Sequence, residues 1–151
     1  MKDKKSITVK ATVKLPIKEV WKLWTTPEDI TQWNFASDDW CAPSAVNDLN
    51  VEGAFSYRME SKDGEMGFDF RGNYTKVEPF TLIEYEIEDG RKVSISFSEN
   101  NDETLVTETF ELEDQNPAEM QKNGWQAILD NFKAYAEEGS LTESESKTRH
   151  K

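Results

Sequence analysis

The stretch that decides the fold is residues 7–33, which read ITVKATVKLPIKEVWKLWTTPEDITQW. Over residues 7–15 apolar and polar side chains alternate, which is the period of a β-strand with one buried face. Pro16 ends this strand and opens a helix, because its fixed φ suits a first helical turn. The apolar residues that follow form one stripe at helical spacing: Ile17, Val20, Trp21 and Trp24. A second short helix opens at Pro27, with Thr26 as its N-cap, so the stretch predicts one strand followed by two short helices.

The middle of the chain alternates in the same way, in several short segments separated by turn signals. Asp-Gly pairs at 63–64 and 89–90 are typical of tight hairpin turns. Residues 34–45 lack the alternation and are interpreted as a loop, and the chain becomes extended from about residue 46. The apolar positions that mark the predicted strands include Phe55, Tyr57, Met59, Phe68, Phe70, Tyr74, Ile83, Tyr85, Ile87, Val93, Ile95, Phe97, Val106, Phe110 and Leu112. These segments predict an antiparallel meander of about six strands.

The last predicted element is a long amphipathic helix. Asn116 and Pro117 mark its start, and Gly139 marks its end. Its apolar stripe contains Trp125, Ile128, Leu129, Phe132, Tyr135 and Ala136, together with Gln121. One long apolar helix face covers one apolar sheet face, so the order of elements predicts a single domain over residues 7–138. Residues 1–6 are expected to be a flexible N-terminus and residues 139–151 a disordered tail.

Charge and composition exclude several classes of function. The chain has 151 residues with 18 Lys and Arg against 30 Asp and Glu, a formal net charge of −12. A protein this acidic repels phosphate backbones and anionic lipids, so we expect no nucleic-acid partner. The sequence contains no candidate targeting signal and no apolar run that would insert into a membrane, so a cytoplasmic location is expected.

Cysteine and histidine are nearly absent. Cys41 is the one cysteine and His150 the one histidine, so neither a thiolate zinc site nor a histidine-based triad is expected inside the fold. We therefore expect no metal and no cofactor.

A series of motifs runs along the chain. They are PIKEVWKLWTTPE at 16–28, Trp33, Asp48, Gly53, Gly72-Asn73-Tyr74, Val77, Pro79 and Gly124-Trp125. In these residues the chain resembles, over about 7–137, the Bet v 1-like/START-like (SRPBCC) superfamily, and within it the branch related to the C-terminal domain of the activator of Hsp90 ATPase. The resemblance implies an α+β helix-grip: a seven-stranded curved antiparallel sheet wrapped round a long C-terminal helix, with two short helices after the first strand. It also implies an apolar cavity between the sheet and that helix.

The candidate site is this space between sheet and helix. An aromatic wall with few polar groups suits a small apolar or amphipathic ligand. The alternative is that the same side chains fill the space and leave an ordinary core. The candidate ligand-binding residues are Trp33, Phe55, Tyr57, Phe70, Tyr85, Phe97, Glu108, Trp125 and Leu129.

Glu108 is the one candidate for acid–base chemistry. By strand alternation it shares the apolar face of Val106 and Phe110. A buried carboxyl either holds a proton at neutral pH or finds a donor such as Tyr57, Tyr85 or a ligand. The alternative is a bulge that turns Glu108 to solvent.

Three functions are open to the sequence. The favoured hypothesis is a non-catalytic carrier or sensor of a small hydrophobic or amphipathic molecule. The second is an enzyme similar to the polyketide aromatase/cyclases of the superfamily, using Glu108. The third is a chaperone-associated protein that interacts through its acidic surface. Phe35 and Trp40 are candidates for a homodimer contact or for a lid over the cavity.

Overall fold

The computed structural model describes the backbone of residues 5–149 and the side chains of residues 5–138. The strands in this part of the chain are β1 (Ser6–Val13), β2 (Trp40–Asn47), β3 (Ala54–Ser61), β4 (Gly67–Glu78), β5 (Leu82–Ile87), β6 (Lys92–Asn100) and β7 (Glu103–Glu111). The helices are α1 (Ile17–Thr25), α2 (Pro27–Trp33) and α3 (Ala118–Arg149). The strands form one curved antiparallel sheet in the order β1-β7-β6-β5-β4-β3-β2, which confirms the predicted fold class.

The first strand lies beside the last. β1 pairs with β7 along its whole length, and its alternate residues Val9, Ala11 and Val13 are buried on the inner face of the sheet. The helices α1 and α2 connect β1 to β2, and these two strands form the opposite edges of the sheet. The alternation of apolar and polar residues therefore predicts which face of β1 is buried. It does not predict that β7 is the strand that pairs with β1.

The two short helices form an aromatic cluster with α3. The Trp24 and Trp33 rings lie 4.8 Å apart, and each lies 4.8 Å from the ring of Phe132. Asn131 of α3 donates a hydrogen bond of 2.9 Å to the carbonyl of Trp33. Thr26 occupies the predicted N-cap position of α2, although its hydroxyl makes no capping hydrogen bond. The helical stripe of the opening stretch is thus the surface that meets the C-terminal helix.

The region predicted as a loop is a strand in its second half. β2 begins at Trp40, so the interpretation of residues 34–45 as a loop is wrong from that residue onward. The register against β3 shifts between Cys41 and Ser44, around Pro43. Because a bulge inserts an extra residue into the strand, apolar and polar residues do not alternate with period two across it. Proline is tolerated here because β2 is an edge strand.

The C-terminal helix is longer than the sequence predicts. α3 continues through Gly139 to Arg149, whereas Gly139 is the predicted end. A glycine inside a helix costs only about 1 kcal/mol relative to alanine, and no proline follows it. Residues 1–4 and 150–151, and the side chains of residues 139–149, lie outside the described part of the structure. Parts of the predicted flexible N-terminus and of the predicted disordered tail fall on these residues.

The core lies between the inner face of the sheet and α3. The rings of Phe110 on β7 and Trp125 on α3 stack with centroids 4.3 Å apart and planes 9° apart. Leu129 and Phe132, one and two turns further along α3, have no exposed surface. No helix within the described residues combines the length and the apolar composition that a membrane span needs.

Candidate ligand-binding cavity

The core is not completely filled. A cavity of about 480 Å³ remains between the sheet and the first half of α3. Pockets of this size hold drug-sized ligands. The wall is formed by Trp24, Trp33, Asn34, Ala36, Ser37, Trp40, Tyr57, Met59, Phe68, Phe70, Tyr74, Ile83, Tyr85, Arg91, Ile95, Glu108, Glu113, Asn116, Met120, Gln121, Gly124, Trp125 and Ile128.

Most of the residues predicted for the site lie on this wall. They are Trp33, Tyr57, Phe70, Tyr85, Glu108 and Trp125. Phe55, Phe97 and Leu129 were also predicted, but they lie in the packed core and do not line the cavity. The ring of Phe55 lies over Gly72, and the ring of Phe97 lies 5.3 Å from Trp21. Strand alternation identifies the inner face correctly, but it does not tell which positions along that face the helices cover.

The wall also contains a polar residue that the sequence pattern does not indicate. Asn34 follows α2, is only 8% exposed, and its Nδ2 has no hydrogen-bond partner. The only signal was its place directly after Trp33, the last residue of a helix with a buried face. An unpaired buried amide donor is costly, so Asn34 offers a hydrogen bond to whatever occupies the cavity.

The mouth of the cavity has an apolar rim. Phe68 on β4 is 47% exposed and Met120 on α3 is 60% exposed, and both belong to the wall. Trp40 packs against Phe68 with ring centroids 6.0 Å apart. Of the two residues proposed as a lid or a dimer contact, Trp40 therefore lies on the wall, whereas Phe35 does not.

Glu108 is buried, as strand alternation predicts. It is 5% exposed, and β7 keeps an unbroken register there, opposite Val9 of β1 and Ile95 of β6. The alternative of a bulge that turns Glu108 outward is therefore wrong. Burial raises the pKa of its carboxyl from 4.5 to about 8, so at neutral pH the carboxyl is mostly protonated.

The neighbouring tyrosines do not supply a hydrogen bond to Glu108. Among residues 5–138, no side chain forms a hydrogen bond with its carboxyl, and burial is the cause that raises its pKa. Tyr85 lies close enough that the charge of Glu108 adds to burial in raising the pKa of its hydroxyl. The Tyr57 hydroxyl, the other predicted donor, lies close to the Tyr74 hydroxyl instead. The carboxyl thus lies in the cavity wall with its hydrogen-bonding capacity unused.

A chain of hydrogen bonds leads from the cavity to the α1–α2 junction. The Tyr74 hydroxyl donates to Oδ1 of Asn47, and Nδ2 of Asn47 donates to the carbonyl of Thr25 at 2.7 Å. Burial raises the pKa of Tyr74 to about 12 and that of Tyr57 well above its ordinary value. Both hydroxyls therefore stay neutral at physiological pH and serve as hydrogen-bonding groups.

Charged groups on the rest of the wall are already paired or lie near the start of α3. In the described part of the chain, Arg91 is the only basic side chain on the wall. Its Nε contacts both carboxylate oxygens of Asp89, at 2.8 and 3.1 Å. Glu113 accepts a hydrogen bond from Asn116. An apolar aromatic cavity with one unpaired carboxyl and one unpaired amide can hold a molecule that is mostly apolar and carries a polar group.

The fold and the cavity define the class of protein. A curved antiparallel sheet closed over an interior cavity by a C-terminal helix is the architecture of the Bet v 1-like/START-like (SRPBCC) superfamily, as the sequence predicts. The chain belongs to the family described as Activator of Hsp90 ATPase homolog 1-like protein, whose model matches residues 14–137. No curated protein matches the sequence.

Solved structures agree with this assignment. An AHSA1-like protein from Aeromonas hydrophila is 41% identical with a TM-score of 0.86, over 91% of this chain and 95% of that one. A protein from Cytophaga hutchinsonii is 48% identical with a TM-score of 0.77, over 90% of this chain and 94% of that one. A protein from Chromobacterium violaceum, 18% identical over 87% of this chain and 96% of that one, shares the fold with a TM-score of 0.78.

Proposed function

We propose that this protein binds a small hydrophobic or amphipathic molecule in the cavity between the sheet and α3, as a carrier or sensor. The observation that carries the proposal is the cavity of about 480 Å³. Its family has a fold that generally binds hydrophobic ligands, which supports the same conclusion.

The composition of the wall favours an apolar ligand. Nine aromatic side chains from the described residues line the cavity, and they are contributed by all three helices and by the four strands β2 to β5. A ligand that removes its apolar surface from water gains about 25 cal/mol per Å². The polar groups, Asn34 and Glu108 above all, are few, so they orient the ligand and contribute little of its total contact area.

The rim supports entry of the ligand between β4 and the start of α3. Phe68 and Met120 expose apolar surface at this point, close to the first residues of β4 and α3. A methionine side chain adapts its shape easily, so Met120 can move aside without a change in the backbone.

The test is binding of N-phenyl-1-naphthylamine, an uncharged fluorescent probe for apolar sites. We expect its emission to rise and the tryptophan emission of the protein to fall on titration, because four tryptophans line the cavity. Gly124 lies on the wall, and a Cβ added there meets no atom within 4 Å. The variant Gly124→Phe therefore fills the cavity, and we expect it to weaken binding about tenfold or more.

The matched control is Asn123→Phe. It adds the same ring to an exposed position of the same helix outside the cavity wall. We expect this variant to bind the probe as the unmodified protein does, with unchanged circular dichroism. Equal binding by both variants, or no binding by the unmodified protein, would contradict the proposal. Native mass spectrometry of the purified protein provides a second test, because a retained small molecule adds its mass.

An enzyme is the second candidate, and the burial of Glu108 favours it. A carboxyl with a pKa of about 8 beside the Tyr85 hydroxyl has the properties of a general acid in an apolar pocket. This candidate requires turnover of a polyketide-like substrate with a pH dependence that Glu108→Gln abolishes. A variant that retains full turnover would exclude the role of Glu108.

A further inference from the structure

The unpaired carboxyl of Glu108 restricts the kind of ligand that the cavity favours. It is 95% removed from solvent, lies on the wall, and has no hydrogen-bond donor among residues 5–138. The basic residue of the wall, Arg91, is paired with the carboxylate of Asp89 and forms no ion pair with Glu108. A negative charge on Glu108 thus has no ion-pair partner among the described side chains, and burial makes its ionisation unfavourable.

The rest of the wall also favours positive charge. Aromatic rings present their negative faces to a cation within about 6 Å of the ring centroid. Tyr85 lies beside Glu108, and Trp125 stacks on Phe110, two residues further along the same strand. The net charge of −12 also attracts cations to the molecule before they reach the mouth of the cavity.

We infer that the cavity selects an organic cation with an apolar body, and that the carboxylate of Glu108 is its counter-ion. This inference rests on the proposed function and names its ligand class. A neutral ligand leaves Glu108 either protonated or charged without a partner, whereas a cation compensates the charge and places its apolar body against the aromatic rings.

The groups around Glu108 determine how binding depends on pH. The side chains opposite it on β1 and β6, Val9 and Ile95, do not ionise. Tyr85 on β5 is neutral at pH 8 and below, because burial raises its pKa well above the ordinary value. The residues that α3 contributes to the wall are uncharged: Met120, Gln121, Gly124, Trp125 and Ile128. The other ionisable groups of the wall are Tyr57 and Tyr74, which burial keeps neutral, Arg91, which is paired with Asp89, and Glu113, which accepts a hydrogen bond from Asn116.

Binding of a permanent cation must therefore compete with the proton on Glu108. The pKa of that carboxyl in the empty cavity is about 8, so a cation that needs the ionised form binds more tightly as the pH rises. Between about pH 6.5 and pH 8.5 the expected gain in affinity is about tenfold or more. A neutral ligand that accepts a hydrogen bond from the protonated carboxyl loses affinity over the same interval.

The experiment compares two probes of the same shape. One is trimethyl-[2-(4-hydroxyphenyl)ethyl]ammonium, and the other is its uncharged isostere 4-(3,3-dimethylbutyl)phenol. We expect the cation to bind about tenfold more tightly than the isostere at about pH 8.5, measured by quenching of tryptophan fluorescence at low ionic strength. We expect its affinity to fall at about pH 6.5, with no such fall for the isostere.

The variant Glu108→Gln separates charge from shape. Glutamine keeps the size and the hydrogen-bonding groups of the protonated side chain, but it carries no charge. We expect the variant to lose the preference for the cation and the pH dependence, so that it binds the two probes with equal affinity. If both probes bind equally to the unmodified protein, or if Glu108→Gln keeps the preference, the inference is overturned and the proposed function stands. If neither probe binds, the inference is overturned too, and N-phenyl-1-naphthylamine then tests the proposed function separately.

Discussion

The ionisation of Glu108 differs strongly from that of the free amino acid. The strand that carries it alternates regularly, so its position between two buried apolar residues forces the carboxyl into the interior. The rise of its pKa from 4.5 to about 8 has burial as its cause. At a pH between the two pKa values, such a carboxyl is protonated in the folded protein and ionised in the unfolded chain.

This difference makes the stability depend on pH. Between about pH 4.5 and pH 8 the unfolded chain is ionised at Glu108 while the folded protein is not, so the free energy of unfolding falls as the pH rises. The variant Glu108→Gln removes this contribution. We expect the variant to gain stability relative to the unmodified protein by up to about 1.4 kcal/mol per pH unit across that interval. Urea denaturation at several pH values, without ligand, measures this difference.

Glu86→Gln is the control for that experiment. Glu86 is exposed on the outer side of β5, so Glu86→Gln makes the same replacement without removing a buried carboxyl. A difference between Glu108→Gln and the unmodified protein that does not vary with pH would show that the carboxyl is hydrated in the folded state.

Two glycines in the regular elements have opposite roles. Gly72 on β4 is closely covered, because a Cβ added there would lie 2.6 Å from the carbonyl oxygen of Glu86 and 2.8 Å from the ring of Phe55. Gly124 in α3 has open space at the same point. The first glycine is required by packing of the sheet, whereas the second only weakens a helix.

Alanine substitutions test this difference. We expect Gly72→Ala to destabilise the protein by about 1–3 kcal/mol, because the backbone of β5 and the Phe55 ring must move. We expect Gly124→Ala to stabilise it by about 1 kcal/mol through helix propensity. Urea midpoints at constant m-value give both numbers, and a destabilising Gly124→Ala would show that the cavity wall at that point does not accept a methyl group.

The whole molecule carries a large negative charge. With a formal charge of −12, repulsion among the surface carboxylates opposes the compact state, and salt screens it. We expect the melting temperature near neutral pH to rise by about 2–4 °C between low and physiological ionic strength, the shift that roughly 1 kcal/mol produces in a domain of this size. At about pH 5, where carboxylates begin to be protonated, the shift should be smaller. A salt effect of the same size at both pH values would point to a cause other than net charge.

The architecture could be predicted from local patterns in the sequence. Period-two alternation from Ile7 and again from Val93 identified the buried face of each strand, and the stripe around Trp125 identified the helix that covers it. These signals are local, because each depends only on which residues of one element avoid water. The same logic placed Glu108 inside, and the structure confirms this burial.

The position of the cavity, in contrast, depends on tertiary contacts. Phe55 and Phe97 share the inner face with Tyr57 and Tyr85, but the first pair is covered by neighbouring side chains and the second pair lines the cavity. Asn34 lies on the wall because the end of α2 packs against α3. The periodicity of the sequence does not predict this contact between helices. The fold follows from the pattern of each segment, whereas the cavity follows from how far apart the segments are held, and that distance depends on contacts between residues far apart in the chain.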